Sequence, residues 1–78
     1  MALPHNVERS AFRPGEYVAY DGRGFVWRVR RARSKYWVGA PAPNNPAREL
    51  GRRVDAQSLC ELAGALARIE PPRRVEPF

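Results

Sequence analysis

Gly22-Arg-Gly-Phe-Val-Trp-Arg-Val-Arg-Arg-Ala-Arg-Ser-Lys-Tyr-Trp-Val38 threads six basic residues through a β-hairpin pattern without one acid. In its first half the residues alternate: Phe25, Trp27 and Val29 share one face, Val26, Arg28 and Arg30 the other, which is the period of a half-buried strand. The odd positions are expected to face the core. Ser34 marks a reversal, and a two-residue loop of Arg33 and Ser34 sets Val29 opposite Val38, Trp27 opposite Ala40 and Trp37 opposite Arg30. That register places Trp37 on the outer face with Arg28 and Lys35 beside it, at distances where cross-strand side chains touch. An exposed tryptophan framed by cations is expected. A slip of one residue at Ser34 reverses the placement of Trp37, because side chains alternate with period two.

On the N-terminal side, Tyr17-Val-Ala-Tyr20 has strand composition and stops at Asp21-Gly22, a strong short-range hairpin signal. This hairpin joins Val18 and Tyr20 to the Phe25 and Trp27 face and leaves Tyr17 outside. Residues 1–11 lack periodicity and read as a flexible arm. On the C-terminal side, Pro41-Ala-Pro-Asn-Asn-Pro46 ends the strand, because proline removes ladder donors. Arg48 to Val54 reads as a further strand in which Arg52 and Arg53 widen the basic face. From Asp55 the period turns helical. The N-cap is either Asp55 or Ser58, the latter forming an S-x-x-E capping box with Glu61. Ala56, Leu59, Leu62, Ala63, Leu66 and Ile69 make one apolar stripe that needs a sheet to cover. Pro71-Pro72 stops the helix, and residues 71–78 form a tail. The expected fold is α+β, a single domain over residues 12–70 with a three- or four-stranded antiparallel sheet and one C-terminal amphipathic helix packed on one face. An SH3-like barrel is the alternative, suggested by Pro14-Gly-Glu-Tyr-Val before the hairpin and disfavoured by four turns of helical pattern.

Seventy-eight residues form one small domain that buries only about 60% of its unfolded surface, too little for a deep active site in a monomer. With so small a core, homo-oligomerisation is one route to added stability. The net charge of +6 favours nucleic acid, an anionic surface or an acidic protein as partner. Thirteen of the fourteen basic residues are arginine, whose planar fork suits phosphate and carboxylate, although a GC-rich coding sequence produces the same excess. One cysteine makes no internal disulfide, no apolar run reaches bilayer length and no signal-peptide core is visible, so a cytoplasmic location without a membrane partner is expected.

No constellation for catalysis is visible. Cys60 falls at the edge of the helix stripe, where a buried structural thiol is expected, and the single histidine, His5, lies in the arm, which argues against both a nucleophile–base pair and a tetrahedral metal set. No cofactor is expected. Asp21-Gly22-Arg23-Gly24 lies between strands and lacks the following helix of a phosphate-binding loop. The binding residues proposed from sequence are Arg28, Arg30, Trp37, Lys35, Arg33, Arg52, Arg53 and Tyr17, which suit a phosphate backbone with Trp37 stacked on a base or sugar.

The segments Phe25-Val-Trp-Arg-Val-Arg-Arg, Tyr36-Trp-Val-Gly and Leu59-Cys-Glu-Leu-Ala-Gly-Ala-Leu occur in an order that resembles the three-stranded-sheet-plus-helix DNA-binding domains, such as phage integrase arm-binding domains and plant AP2-type domains. The resemblance covers about 45 residues, as an order of elements without a specific motif. It implies an outer sheet face in the major groove, with contacts from Arg28, Arg30 and Trp37. The chain also resembles, in general character, small phage and mobile-element proteins, including anti-CRISPR inhibitors. The expected function is non-enzymatic binding of DNA, RNA or a nucleoprotein complex. The competing expectation is a protein–protein inhibitor or adaptor that covers an acidic surface with the same patch.

Overall fold

The computed structural model describes residues 2–70. Five strands, β1 (Val7–Arg9), β2 (Tyr17–Tyr20), β3 (Val26–Ala32), β4 (Tyr36–Pro41) and β5 (Val54–Ala56), form one antiparallel sheet in sequential order, followed by helix α1 (Leu59–Ala67). The fold is α+β as expected, with more strands than the three or four anticipated. The sheet is open, with β1 and β5 as its edges, so the barrel alternative does not apply.

Three segments differ from the sequence expectation. The arm contributes an edge strand: β1 pairs with β2, Val7 is buried, and the Asn6 side-chain amide donates to the carbonyls of Tyr20 at 3.1 Å and Ala63 at 3.0 Å. One polar side chain thus ties the arm to both sheet and helix, which periodicity over three strand residues cannot reveal. The strand expected over Arg48–Val54 is instead a 3-10 turn at Pro46–Arg48, a reversal at Gly51 and the short β5. Asp55 therefore sits in a strand, and α1 starts at the later of the two caps, where Ser58 Oγ accepts from the Glu61 amide at 3.1 Å. The tail expected over residues 71–78 lies outside the described residues.

The β3–β4 loop has three residues where the sequence reading gave two, the β2–β3 loop has five, and these lengths decide which side chains share a face. Arg31 lies opposite Trp37 and Arg30 opposite Val38, while Ala19 lies opposite Trp27 and Tyr17 opposite Val29. Relative to β3, strand β4 is slipped by one position and β2 takes the facing opposite to the one expected. Tyr17, Ala19, Trp37 and Gly39 therefore join Trp27 and Val29 on the helix-covered face, whereas Val18, Tyr20 and Val38 join Arg28 and Arg30 on the other. Leu62 and Leu66 of α1 are the side chains nearest Gly39, and with Trp27 and Val29 they are the largest fully buried side chains.

The turn after β2 docks on the end of α1. Gly22 donates its amide to the Leu66 carbonyl at 3.3 Å, and a Cβ added at Gly22 would collide with the carbonyl oxygens of Ala67 and Ile69. Backbone carbonyls cannot swing aside as a side chain does. Gly22→Ala is therefore expected to lower stability by about 1–3 kcal/mol, the range for overpacking, measured by urea denaturation. Gly24→Ala should move nothing by collision, since its Cβ would meet open space, and should show only the smaller strain of its positive φ.

Candidate nucleic-acid interface

The distal half of the β3–β4 hairpin gathers the densest charge of the described residues. Arg30, Arg31, Arg33 and Lys35 are all exposed, and none makes an ion pair among the described residues. The ion pairs that do form lie elsewhere: Arg28 with Glu16 at 3.7 Å, Arg23 with Asp21 at 2.7 Å and Arg53 with Asp55 at 3.0 Å. Arg9, Arg13, Arg48, Arg52 and Arg68 are likewise without an ion pair among the described residues, so what sets the tip apart is four such cations within six residues of one hairpin.

The turn itself is unusual. Arg33 and Ser34 both have positive φ, 50° and 58°, and Lys35 donates its amide to Ala32 at 3.0 Å. Positive φ at both central residues is the signature of a type I′ hairpin turn, which favours Asn-Gly; Lys35 then adds the extra residue that slips the register. An arginine and a serine hold a conformation that disfavours side chains. Replacing the pair, Arg33→Asn with Ser34→Gly, is expected to raise stability by roughly 1 kcal/mol, read by thermal unfolding, while removing one tip cation.

The exposed tryptophan expected on the outer face is not there. Trp37 is half-buried on the helix side, packed on the core, with Tyr17 edge-on at 5.7 Å between ring centroids. The slipped register hands its cation partner from Arg30 to Arg31, whose guanidinium lies 5.9 Å from the indole centroid. Arg28 and Arg30 remain on the outer face and Arg33 and Lys35 in the turn, so these four and Trp37 belong to one hairpin but not to one face, and Tyr17 stands on the neighbouring β2. Arg52 and Arg53 lie outside this cluster, just before β5. Arg31 was missed as a site residue, although its place in an acid-free run was visible.

Asp21 is the one fully buried carboxylate side chain among the described ion pairs, and the sequence reading took it for turn chemistry alone. Its Oδ1 accepts from the amides of Arg23 at 2.8 Å and Phe25 at 3.1 Å. Its Oδ2 accepts from Arg23 Nη2 at 2.7 Å, Arg23 Nε at 3.2 Å and Trp27 Nε1 at 2.9 Å. Arg23 Nη2 also reaches Asn45 Oδ1 at 3.3 Å, and buried Asn45 donates from Nδ2 to the Val26 carbonyl at 3.1 Å. Burial pushes the Asp21 carboxyl up, but the hydrogen bonds from the Arg23 guanidinium, the Trp27 indole and the two amides outweigh it and hold the group below its ordinary value. A carboxylate so lowered and so fully engaged is a weak base and a strong structural tie.

The sign of its pH dependence follows. A depressed carboxyl contributes stability that is whole above its ordinary value of 3.8 and is lost as pH falls through the lower folded value. Stability of the native chain should accordingly fall as pH drops below 3.8 and through the lower folded value, and the part of that loss due to Asp21 should vanish in Asp21→Asn, as measured by fluorescence against pH. The exposed pair Arg53–Asp55 raises the Arg53 guanidinium further above its ordinary value through the hydrogen bond to Asp55, without consequence for charge near neutrality.

Cys60 is exposed on α1, not buried as expected; Leu59, Leu62, Ala63 and Leu66 take the buried face of the helix. No group of three metal-ligating side chains occurs among the described residues, and no described helix is long and apolar enough to cross a membrane. No protein-family model, characterised protein or solved structure gives a significant match to this chain.

Proposed function

We propose that the protein is a small, non-enzymatic, cytoplasmic binding protein that engages nucleic acid, or a nucleoprotein complex, through the end of the β3–β4 hairpin. The observation that carries this reading is the set of four exposed cations, Arg30, Arg31, Arg33 and Lys35, with no carboxylate paired to any of them among the described residues. Four unpaired cations gathered at one hairpin end favour an external polyanion, and phosphate contacts of this kind bind DNA or RNA largely without regard to sequence. The outer-face arginines Arg28 and Arg30 extend the track along β3. The chain's size and its order of elements resemble those of small phage and mobile-element proteins, and the reading agrees with a role of that type. Trp37 acts here as the packed base of the hairpin, with Arg31 held over its ring.

Fluorescence anisotropy with labelled duplex DNA, single-stranded DNA and RNA tests this. If all four tip cations meet phosphates, the affinity for duplex should fall with a log–log salt slope of about −3.6, or roughly two orders of magnitude between 50 and 200 mM salt. Changing Arg30, Arg31, Arg33 and Lys35 to glutamine should abolish most of that slope without unfolding the chain. Binding that survives the four changes with its salt slope intact would refute the assignment. The competing reading is a protein–protein inhibitor or adaptor that covers an acidic surface with the same patch, and it predicts no binding to any of the three nucleic acids.

A further inference from the structure

At the end of the sheet away from the hairpin tip, a cleft of about 480 Å³ opens between the Pro46–Val54 segment and the C-terminal half of α1. Its walls are apolar: Leu50, Val54, Ala65 and Ile69 line it over the Trp27 ring. Its charged lining is Arg23, Arg52 and Arg53, with no carboxylate among the described residues. Leu50 is 70% exposed, one of the few large apolar side chains among the described residues left so open to water. From these observations we infer that the cleft is a docking site for an acidic peptide segment of a partner protein, one that inserts an apolar side chain between carboxylates.

The site is built before any partner arrives. Arg23 is fixed by Asp21 and Asn45, and the Leu50 wall is held by hydrogen bonds that the Leu50 and Arg52 amides donate to the Ala47 carbonyl, each at 3.2 Å, and the Gly51 amide to the Arg48 carbonyl at 3.1 Å. Ordering such a wall beforehand lowers the entropy lost on binding. Apolar floor and cationic rim together select the occupant. A nucleic-acid backbone offers phosphates to the rim but nothing to fill the floor, whereas an aromatic or leucine side chain fills it as an anchor while flanking carboxylates meet the planar forks of the arginines. Arg52 makes no ion pair among the described residues and supplies the rim's uncompensated charge, while Arg23 and Arg53, offset by Asp21 and Asp55, keep N–H donors beyond those the aspartates take. This site is separate from the hairpin and does not depend on the nucleic-acid reading.

The test uses fluorescein-labelled Asp-Glu-Phe-Glu-Asp and its Leu and Trp counterparts, titrated with the whole chain by anisotropy. At least one anchor peptide should bind saturably, and its counterpart with Ser in place of the apolar residue should bind at least about tenfold more weakly. Arg52→Glu and Leu50→Asp, both at exposed positions that leave the fold unchanged by circular dichroism, should each weaken the anchor peptide by about tenfold or more. The glutamine variant of the four tip cations should bind it as the native chain does. Absence of saturable binding with all three anchors overturns the inference, as does equal binding of the Ser peptide. Undiminished binding by both cleft variants does so as well, and loss of binding in the tip variant would transfer the peptide to the hairpin.

Discussion

Asp21→Asn is expected to lower the unfolding free energy by about 2–4 kcal/mol, because it removes the charge and half the acceptors from a buried network. The asparagine oxygen can still serve the Arg23 and Phe25 amides, which hold the five-residue loop between β2 and β3. Its NH₂ group then faces three donors, Arg23 Nη2, Arg23 Nε and Trp27 Nε1, which Oδ2 accepts in the native chain. Flipping the amide moves the clash to the backbone amides without removing it. Arg23 is 21% exposed and can turn partly to water, which keeps the loss below that of a wholly enclosed pair. Urea denaturation at neutral pH measures it; a loss under about 0.5 kcal/mol would mean that the network is ornamental to stability.

Trp27→Ala should cost more, about 3–5 kcal/mol, since the ring is 1% exposed and belongs to the same core as Leu62 and Leu66. The change empties a ring-sized volume and takes one donor from Asp21. Total stability for small domains runs from about 5 kcal/mol, so this variant should be substantially unfolded at 37 °C. Trp27→Phe separates the two effects: it refills much of the volume and leaves Oδ2 short of the indole donor, and should fall between the native chain and the alanine variant. Trp37→Ala should also destabilise, though less, because that ring is half-buried and packs against the core. Its loss of binding would then be ambiguous, which makes the tip cations the cleaner probe of function.

The sequence carried the fold class and the central strand well. Trp27 and Val29 are buried as the alternation predicted, and the stripe Leu59, Leu62, Ala63 and Leu66 faces the sheet. What it carried poorly were the two loop lengths. Neither hairpin advertises its loop length: in one, the Asp21 side chain organises a five-residue loop by accepting from Arg23 and Phe25; in the other, Arg33 and Ser34 accept positive φ where glycine was the expected signal. Because side chains alternate, these loop lengths exchanged the faces of β2 and β4 and moved Tyr17 and Trp37 from the outer face to the helix side, half-buried against the core. The acid-free basic run survived that exchange, since turn residues keep their exposure whatever the register. Asn6 and Asp21 were illegible for another reason: their partners lie on other elements or depend on the loop's final shape.

The most direct test of the central claim is amide chemical-shift mapping of the ¹⁵N-labelled chain during titration with a short DNA duplex and a matched RNA at low salt. Shifts concentrated from Arg30 to Trp37, lost as salt is raised, are the predicted result. Shifts that centre instead on Leu50, Arg52 and Ala65, or no shifts with either nucleic acid, would contradict a hairpin-borne polyanion site.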